Sequence, residues 1–229
     1  METKYTVSKS KKILPTKNKF ILFLFSFILC LFVIFASVKI TLNFRTLYYF
    51  DIDYLHIEET SHFSRSEIIE NYNYVIDYMG SPINNKFVLP SIPYSQPSQI
   101  HFYDVKKIFH LIDILLIITG LIGIIGIYFN IKKKSYTFLK WSSSMLLSLP
   151  ILLTFAFATN PDSAFTTFHK IFFNNNYWIL SSKTDPIIDI MPQEFFYHAA
   201  ILIGFLIVLF FILFRLVYRL VCKNKISHS

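Results

Sequence analysis

Charged residues are scarce in this sequence, and cysteine and glycine are scarcer still. Only 16% of the 229 residues are charged and 54% are hydrophobic, with a mean hydropathy of +0.49, whereas soluble domains average roughly 25% charged residues. The two cysteines, Cys30 in an apolar run and Cys222 in a basic tail, exclude a disulfide framework and a cysteine metal site. This composition excludes an ordinary soluble domain, so lipid must be part of the solvent.

Long apolar runs are what the sequence has instead. A helix needs ~20 mostly apolar residues to cross a bilayer core, and four runs have that length: 20–43, 108–129, 139–158 and 196–217. The first run follows a basic stretch, as in a signal peptide, but it exceeds the ~7 to 15 apolar residues of a cleavable one. The sequence therefore predicts a mainly α membrane protein with four transmembrane helices, the first of them retained.

The net charge of +8 is concentrated beside these runs, which argues against a nucleic-acid partner. Six lysines precede the first run, three lysines lie between the second and third runs with a fourth at the start of the third, and four basic residues lie at the end of the fourth run and after it. The positive-inside rule places these flanks in the cytoplasm. The other two loops hold seven Lys or Arg against twelve Asp or Glu, and we expect them outside.

The predicted order is a basic cytoplasmic N-terminus (1–19), first span (20–43), extracytoplasmic loop (44–107), second span (108–129), basic cytoplasmic loop (130–138), third span (139–158), second extracytoplasmic loop (159–195), fourth span (196–217) and basic cytoplasmic tail (218–229).

Both outer loops contain helix signals, and we expect them to form an extracytoplasmic cap. Ser64 and Glu67 have the spacing of a capping box, which predicts a helix from there to about Met79. In the second loop, Asn160 followed by Pro161 is typical of a helix start. Helical spacing then predicts one stripe of four side chains: Phe165, Phe168, His169 and Phe172.

Histidines near the predicted outer boundary are the first candidates for chemistry, although a lone interfacial histidine is usually only a polar group at the membrane surface. Asp104 follows His101 by one helical turn and can orient its imidazole through a ring N–H. Lys106, His110 and Asp113 share a helix face different from that of His101 and Asp104. We interpret them as a structural cluster whose polar groups bind one another. The boundary histidines are His101, His110, His169 and His198.

Metal ligation and phosphate binding have little support. His101, Asp104, His169 and Asp185 could in principle meet, but no His-Glu-x-x-His or comparable ligand spacing is present, so we expect no metal and no cofactor. Three glycines spaced three residues apart in the second span, at 120, 123 and 126, do not resemble a phosphate loop. They predict close helix packing instead.

Two longer motifs carry a family resemblance. Residues 168–180 read Phe-His-Lys-Ile-Phe-Phe-Asn-Asn-Asn-Tyr-Trp-Ile-Leu, Thr-Asp follows at 184–185, and residues 191–196 read Met-Pro-Gln-Glu-Phe-Phe. A His-x-x-Asp-Val-Lys element stands at 101–106, just before the second span. Together with four spans, inside termini and an outer cap, these motifs resemble the bacterial lipoprotein intramolecular transacylase family over essentially the whole chain.

The resemblance implies an enzyme of the bacterial cell membrane whose partners are diacylglyceryl-modified lipoproteins and membrane lipid. Its reaction moves the sn-2 acyl chain of the diacylglyceryl group to the α-amino group of the N-terminal cysteine, giving a lyso-form lipoprotein. The active site is expected at the outer face, with His101 and His169 as general base and acid in an order left open. The supporting or substrate-binding residues are expected to be Asp104, Phe168, Phe172, Asn175, Tyr177, Trp178 and Asp185.

Two other functions fit the same residues. A membrane lipid hydrolase or an intermolecular acyltransferase could use the same histidines, releasing a fatty acid or acylating a second molecule. A non-enzymatic scaffold or transport component is the third alternative, and it requires no chemistry from either imidazole.

Overall fold

A computed structural model of the chain describes residues 16–83, 85–148, 150–152 and 160–227. Every regular element in these ranges is helical, which confirms the mainly α prediction for the described part of the chain. The helices are α1 (Thr16–Asn43), α2 (Arg45–Tyr54), α3 (Ile57–Ser61), α4 (Arg65–Gly80), α5 (Gln96–Lys132), α6 (Thr137–Leu146), α7 (Pro161–Phe172), α8 (Ile187–Ile190) and α9 (Gln193–Ser227).

Three helices, α1, α5 and α9, are long and apolar enough to cross a membrane. The third predicted span, 139–158, includes residues outside the described ranges, and α6 covers its beginning. At 1.5 Å per residue, the 37 residues of α5 extend over about 55 Å, well beyond a hydrocarbon core of ~30 Å. The polar first turns of α5, which carry His101, are therefore a rigid extension of an apolar helix.

The glycines of α5 lie against α1, as their spacing predicts. A Cβ atom added at Gly126 would stand 2.0 Å from the ring of Phe25, and one at Gly120 would stand 3.1 Å from the ring of Phe32. A side chain at Gly126 would therefore force α1 and α5 apart. This close packing fixes the position of α5 and, with it, the position of its polar extension.

The segments between the apolar helices share one buried cluster, here called the loop core. It combines side chains of α2, α3 and α4 and of the stretch before α5 with side chains of α8 and the start of α9. The rings of Tyr48 and Tyr72 stack at 3.6 Å between centroids, and Phe195 packs edge-on against both. The Tyr48 hydroxyl donates to the carbonyl of Ile190 at 2.5 Å. Segments separated by more than a hundred residues are thereby joined.

The capping box at the start of α4 is confirmed. The hydroxyl of Ser64 accepts from the backbone N–H of Glu67, and the carboxylate of Glu67 accepts from the backbone N–H of Ser64. Such a cap stabilises a helix by about 1 kcal/mol. The helix ends at Gly80 rather than Met79, and its inner face, which includes Ile68 and Tyr72, is buried in the loop core.

The polar residues predicted as one cluster on α5 bind three separate partners, so that prediction was wrong. The ammonium of Lys106 donates to two oxygens of the segment before α5, at 2.7 and 3.1 Å. Nε2 of His110 donates to the carbonyl of Ser81 at 2.8 Å, and Asp113 forms an ion pair with Lys39 of α1 at 2.8 Å. The reason is packing: the segment before α5 covers Lys106 and His110, and α1 covers the turn with Asp113, so each side chain meets a partner outside its own helix.

Candidate active site

Two imidazoles from distant parts of the sequence meet beside the loop core. His101 lies on the extension of α5 and His169 on α7, and their ring centroids are 5.9 Å apart with an angle of 36° between the planes. The start of α7 is fixed as predicted, because the side chain of Asn160 accepts from the backbone N–H of Ser163. His169 is only 8% exposed and His101 is partly buried, so water has limited access to the pair.

The protonation of His169 is set by a backbone group. Its Nδ1 lies 2.8 Å from the carbonyl oxygen of Phe165, one turn earlier on α7. Because a carbonyl can only accept, Nδ1 carries the proton, and the neutral ring has its lone pair on Nε2. Burial lowers the pKa of His169, and the bond to Phe165 opposes this effect without cancelling it. The side chain is therefore suited to accept a proton at Nε2.

Aromatic rings surround the imidazole of His169, as predicted. Trp178 stacks on it at 4.8 Å, Phe165 lies at 4.2 Å and Phe173 at 5.7 Å between centroids. Phe173 also packs edge-on against His101 at 5.0 Å. Phe165 belongs to the stripe that helical spacing predicts on α7. Phe173 is absent from the predicted residues, because it follows the end of α7 and has no such signal.

Asp104 does not orient His101, and that prediction was wrong. Nδ1 of His101 is buried without a hydrogen-bond partner. The Asp104 carboxylate instead forms an ion pair with Lys107 at 2.6 Å and accepts from the side-chain amide of Asn175 at 3.0 Å. A charge-assisted partner one turn away on the same helix competes better for a carboxylate than a neutral ring does.

Asn175 connects the two histidine-bearing elements. Its amide donates to Asp104 on α5, and its side-chain oxygen accepts from the backbone N–H of Tyr177 at 3.1 Å. Its backbone carbonyl accepts from the indole N–H of Trp178 at 3.0 Å. The ring that stacks on His169 is thus held by a residue that is itself bound to the helix of His101. Tyr177 contributes its backbone to this chain, and its side chain is exposed.

Asp185 is a structural tether rather than a neighbour of the imidazoles. The buried carboxylate accepts from the backbone N–H of Ser95 at 2.7 Å and from its hydroxyl at 2.9 Å. Ser95 is also the N-cap of α5, where its hydroxyl accepts from the backbone N–H of Ser98. The second loop is therefore fastened to the beginning of the helix that carries His101.

Phe168 and Phe172 continue the aromatic surface beside His169, which Phe168 contacts edge-on with 5.5 Å between ring centroids. Their side chains are 52% and 51% exposed, and their rings pack against each other at 4.7 Å. The stripe predicted for α7 is therefore confirmed: Phe165 and Phe168 both contact His169, and Phe172 extends the stripe through its contact with Phe168. Phe168 and Phe172, with Ile171, form an exposed apolar end on α7.

Carboxylates that could join the imidazoles on a metal ion are engaged elsewhere. Asp104 binds Lys107 and Asn175, and Asp185 binds Ser95. Within the described ranges, no three His, Cys, Asp or Glu side chains are grouped to hold a metal. The donor set at the pair is two neutral nitrogens and aromatic rings, which suits proton transfer.

A second buried histidine contact was missed by the sequence analysis. Nδ1 of His198, on α9, donates to Oδ1 of Asp51, on α2, at 2.7 Å. The Asp51 side chain is fully buried, and its Oδ2 has no hydrogen-bond partner. The two residues are 147 positions apart, so no local spacing could have indicated the contact.

Comparison with known proteins gives consistent results. The family model described as lipoprotein intramolecular transacylase Lit matches residues 23–196. An in meso structure of the membrane integral lipoprotein intramolecular transacylase Lit from Bacillus cereus shares 33% identity, with a TM-score of 0.89, over 92% of this chain and 98% of that one. Two structures of that protein with one histidine replaced, by arginine or by alanine, each share 32% identity with TM-scores of 0.84. They cover 93% and 92% of this chain and 95% and 96% of their own. No curated protein matches.

The sequence resemblance, the helical fold and these matches agree on one family. The family model covers most of the chain, and the structural match extends over nearly its whole length. The apolar helices of the chain and the membrane-integral structure that it matches indicate a location in the membrane. The chain belongs to the family of lipoprotein intramolecular transacylases and is a membrane-integral acyltransferase of that family.

Proposed function

We propose that His169 and His101 catalyse transfer of the sn-2 acyl chain of a diacylglyceryl-modified lipoprotein to the α-amino group of its N-terminal cysteine. The product is a lyso-form lipoprotein with one ester-linked and one amide-linked chain. The observation that carries this proposal is the contact between the two imidazoles, in which the carbonyl of Phe165 holds the proton of the buried His169 at Nδ1. Family membership supports the reaction class.

In this mechanism His169 is the general base. A free α-amine has a pKa of roughly 7.7 to 8.0 and is partly protonated near neutral pH. Nε2 of His169 accepts the amine proton while the nitrogen attacks the ester carbonyl carbon. The tetrahedral intermediate then collapses: the C–O bond to the sn-2 oxygen breaks, and the amide bond remains. No atom leaves the lipoprotein, and the proton passes from nitrogen to the new hydroxyl.

His101 is the proton relay to the leaving oxygen. Its ring lies 5.9 Å from that of His169, close enough for one substrate group to contact both. A protonated imidazole at either position also stabilises the negative charge on the intermediate. The second N–H of the Asn175 amide, beyond the one that binds Asp104, and the Tyr177 hydroxyl are further oxyanion donors in this proposal.

For an intramolecular transfer, the main task of the enzyme is to position the donor ester against the acceptor amine. Donor ester and acceptor amine belong to one molecule, and well-oriented intramolecular reactions reach effective molarities of ~10⁵ M or more. The rings of Phe165, Phe173 and Trp178 around His169 would limit how that molecule can lie and exclude water, which would otherwise hydrolyse the ester.

For topology, we propose four spans, with residues 139–158 as the third, and both chain ends in the cytoplasm. The distribution of Lys and Arg supports this orientation, and the three helices of spanning length supply three of the four proposed spans. The loop core would then form the extracytoplasmic cap, with the imidazole pair at headgroup depth. The membrane lipid would contact the exposed apolar end of α7, formed by Phe168, Ile171 and Phe172, and acyl chains would reach the pair from that side.

The test is expression with a lipoprotein in a host that lacks the activity, followed by mass spectrometry of the lipoprotein's N-terminal peptide. Transacylation leaves the total mass unchanged and moves one acyl chain to nitrogen. His101→Asn and His169→Asn variants should leave both chains on the glyceryl group. Loss of one chain would indicate a hydrolase, and gain of a chain an intermolecular acyltransferase. An unchanged peptide with wild-type protein would indicate a scaffold or transport component.

A further inference from the structure

A groove lies at the end of the apolar helices remote from the imidazole pair. It has a volume of about 390 Å³ and is lined by Lys140, Trp141, Ser144 and Met145 of α6. It opens just after the basic segment that follows α5. The proposed mechanism uses none of these residues, and none lies in the loop core.

A second cation borders the groove from another helix. The guanidinium of Arg215, on α9, donates to the hydroxyl of Ser144 at 2.9 Å, which places it at the groove's edge. It also lies over the ring of Phe211, 5.8 Å from the centroid. Lys140 and Arg215 thus border one opening from two helices, and the hydroxyl of Ser144 binds both residues, because it donates to the backbone carbonyl of Lys140 and accepts from Arg215.

These two cations have no acidic partner in the part of the chain that the structure describes. The ion pairs there involve other lysines, arginines and histidines. Lys39 differs from the two cations: it also lies on an apolar helix, but Asp113 neutralises its charge. Two uncompensated charges around a shared hydroxyl form a site for a phosphate group.

The rest of the groove is apolar, which decides between a lipid and a free anion. Met145 and the indole of Trp141 line it, and Trp141 packs edge-on against Phe23 of α1. Large apolar side chains of α9 near Arg215, including Ile212 and Leu216, are exposed. A free phosphate would gain nothing from these surfaces, whereas acyl chains would cover them.

We infer that this groove binds the phosphate of an anionic glycerophospholipid, with Lys140 and Arg215 as the cationic contacts and Met145 and Trp141 against the first part of the acyl chains. The lipid is a structural ligand, separate from the lipoprotein substrate. It fastens α6 to α9 by bridging a cation on each. The inference is independent of the acyl-transfer mechanism.

The experiment measures lipid binding by native mass spectrometry of the full-length protein in detergent, titrated with phosphatidylglycerol or with phosphatidylcholine. Wild-type protein should retain phosphatidylglycerol preferentially. Because each Lys or Arg contact contributes roughly a fivefold gain for an anionic lipid, the double variant Lys140→Gln, Arg215→Gln should bind it about 30-fold more weakly. Each single variant should lose about fivefold.

The matched control removes two charges from the neighbouring basic segment instead. Lys132→Gln, Lys133→Gln should bind phosphatidylglycerol within about threefold of wild type. An equal loss in the control, or equal retention of the two lipids by wild type, would overturn the inference in favour of diffuse attraction. Inorganic phosphate should not compete at millimolar concentration; if it does, the site is a simple anion site. Melting temperatures in phosphatidylcholine verify that the variants are folded.

Discussion

His169 and His198 are both histidines in aromatic surroundings near the loop core, yet their contacts differ in kind. His169 donates Nδ1–H to a neutral carbonyl, stacks on Trp178 and faces a second imidazole. His198 donates Nδ1–H to the carboxylate of Asp51, which is fully buried. Burial raises the pKa of Asp51, and the hydrogen bond from His198 works against that shift.

The difference separates a histidine suited to proton transfer from one suited to holding helices together. The carboxylate of Asp51, on α2, binds the ring of His198, on α9, through a part-buried hydrogen bond, so the two residues act as a clasp between these helices. A carbonyl fixes only the tautomer, and the ring of His169 remains neutral with a free Nε2. Both histidines have aromatic neighbours in the sequence. The hydrogen-bond partner of Nδ1, which the structure shows, distinguishes them.

The largest expected effect is on the rate of acyl transfer. His169→Asn and His101→Asn should each lower the rate by about 10² to 10⁴-fold, the usual contribution of general acid–base catalysis. The measurement is a time course of N-acylated peptide with purified protein. His198→Asn is the matched control and should keep its rate per folded molecule. A comparable loss in that control would place His198 in the chemistry and remove the distinction drawn above.

The contact between His198 and Asp51 should affect the free energy of unfolding rather than the rate. Asp51→Ala leaves the ring of His198 without its buried partner and should lower the free energy of unfolding by about 2 to 3 kcal/mol. This is below the ~3 to 5 kcal/mol typical of a broken buried pair, because the His198 side chain is 27% exposed. Chemical denaturation in detergent measures the change.

A double replacement tests whether charge or packing explains this loss of stability. Asp51→Leu, His198→Leu removes both polar groups and should recover most of the lost stability, since apolar residues often replace a buried pair without cost. If the double variant is as unstable as Asp51→Ala, packing rather than charge explains the loss. Acyl transfer per folded molecule should remain near wild type in both variants.

Local signals predicted the elements of this fold well, and long-range contacts poorly. The capping box at Ser64 and the glycines of α5 act through neighbours a few residues away or through a repeated spacing, and both predictions are confirmed. The partners of Asp104 depended on a lysine and an amide that compete for one carboxylate. Spacing along the chain contains no information about which competitor wins. The contact between His101 and Phe173 depends on the same kind of three-dimensional choice.

Trp178 should have a smaller effect, because it touches the base without exchanging protons. Trp178→Ala removes the stack on His169, worth about 1 kcal/mol, and should lower the rate roughly fivefold. Trp178→Phe keeps a ring but loses the N–H bond to Asn175, so a loss of about threefold is expected on the same scale. Trp141→Phe, at the other end of the helices, should leave the rate unchanged. Equal losses for Trp178→Ala and Trp178→Phe would mean that the N–H bond, rather than stacking, matters.

The smallest expected effect is on the pH profile. Because burial lowers the pKa of His169, its neutral form persists below the ordinary value of about 6.5, and the acid limb of the rate should have its midpoint below that value. Stability should follow the same group: the unfolded chain binds the proton first, so this contribution is constant above about pH 6.5 and is lost as the pH falls towards the folded pKa. The His169→Asn variant should lack that part of the pH dependence of unfolding, whereas His198→Asn should retain it. An acid limb centred above pH 6.5 would mean that a carboxylate, rather than the carbonyl of Phe165, is the partner of His169, and would end the contrast with His198.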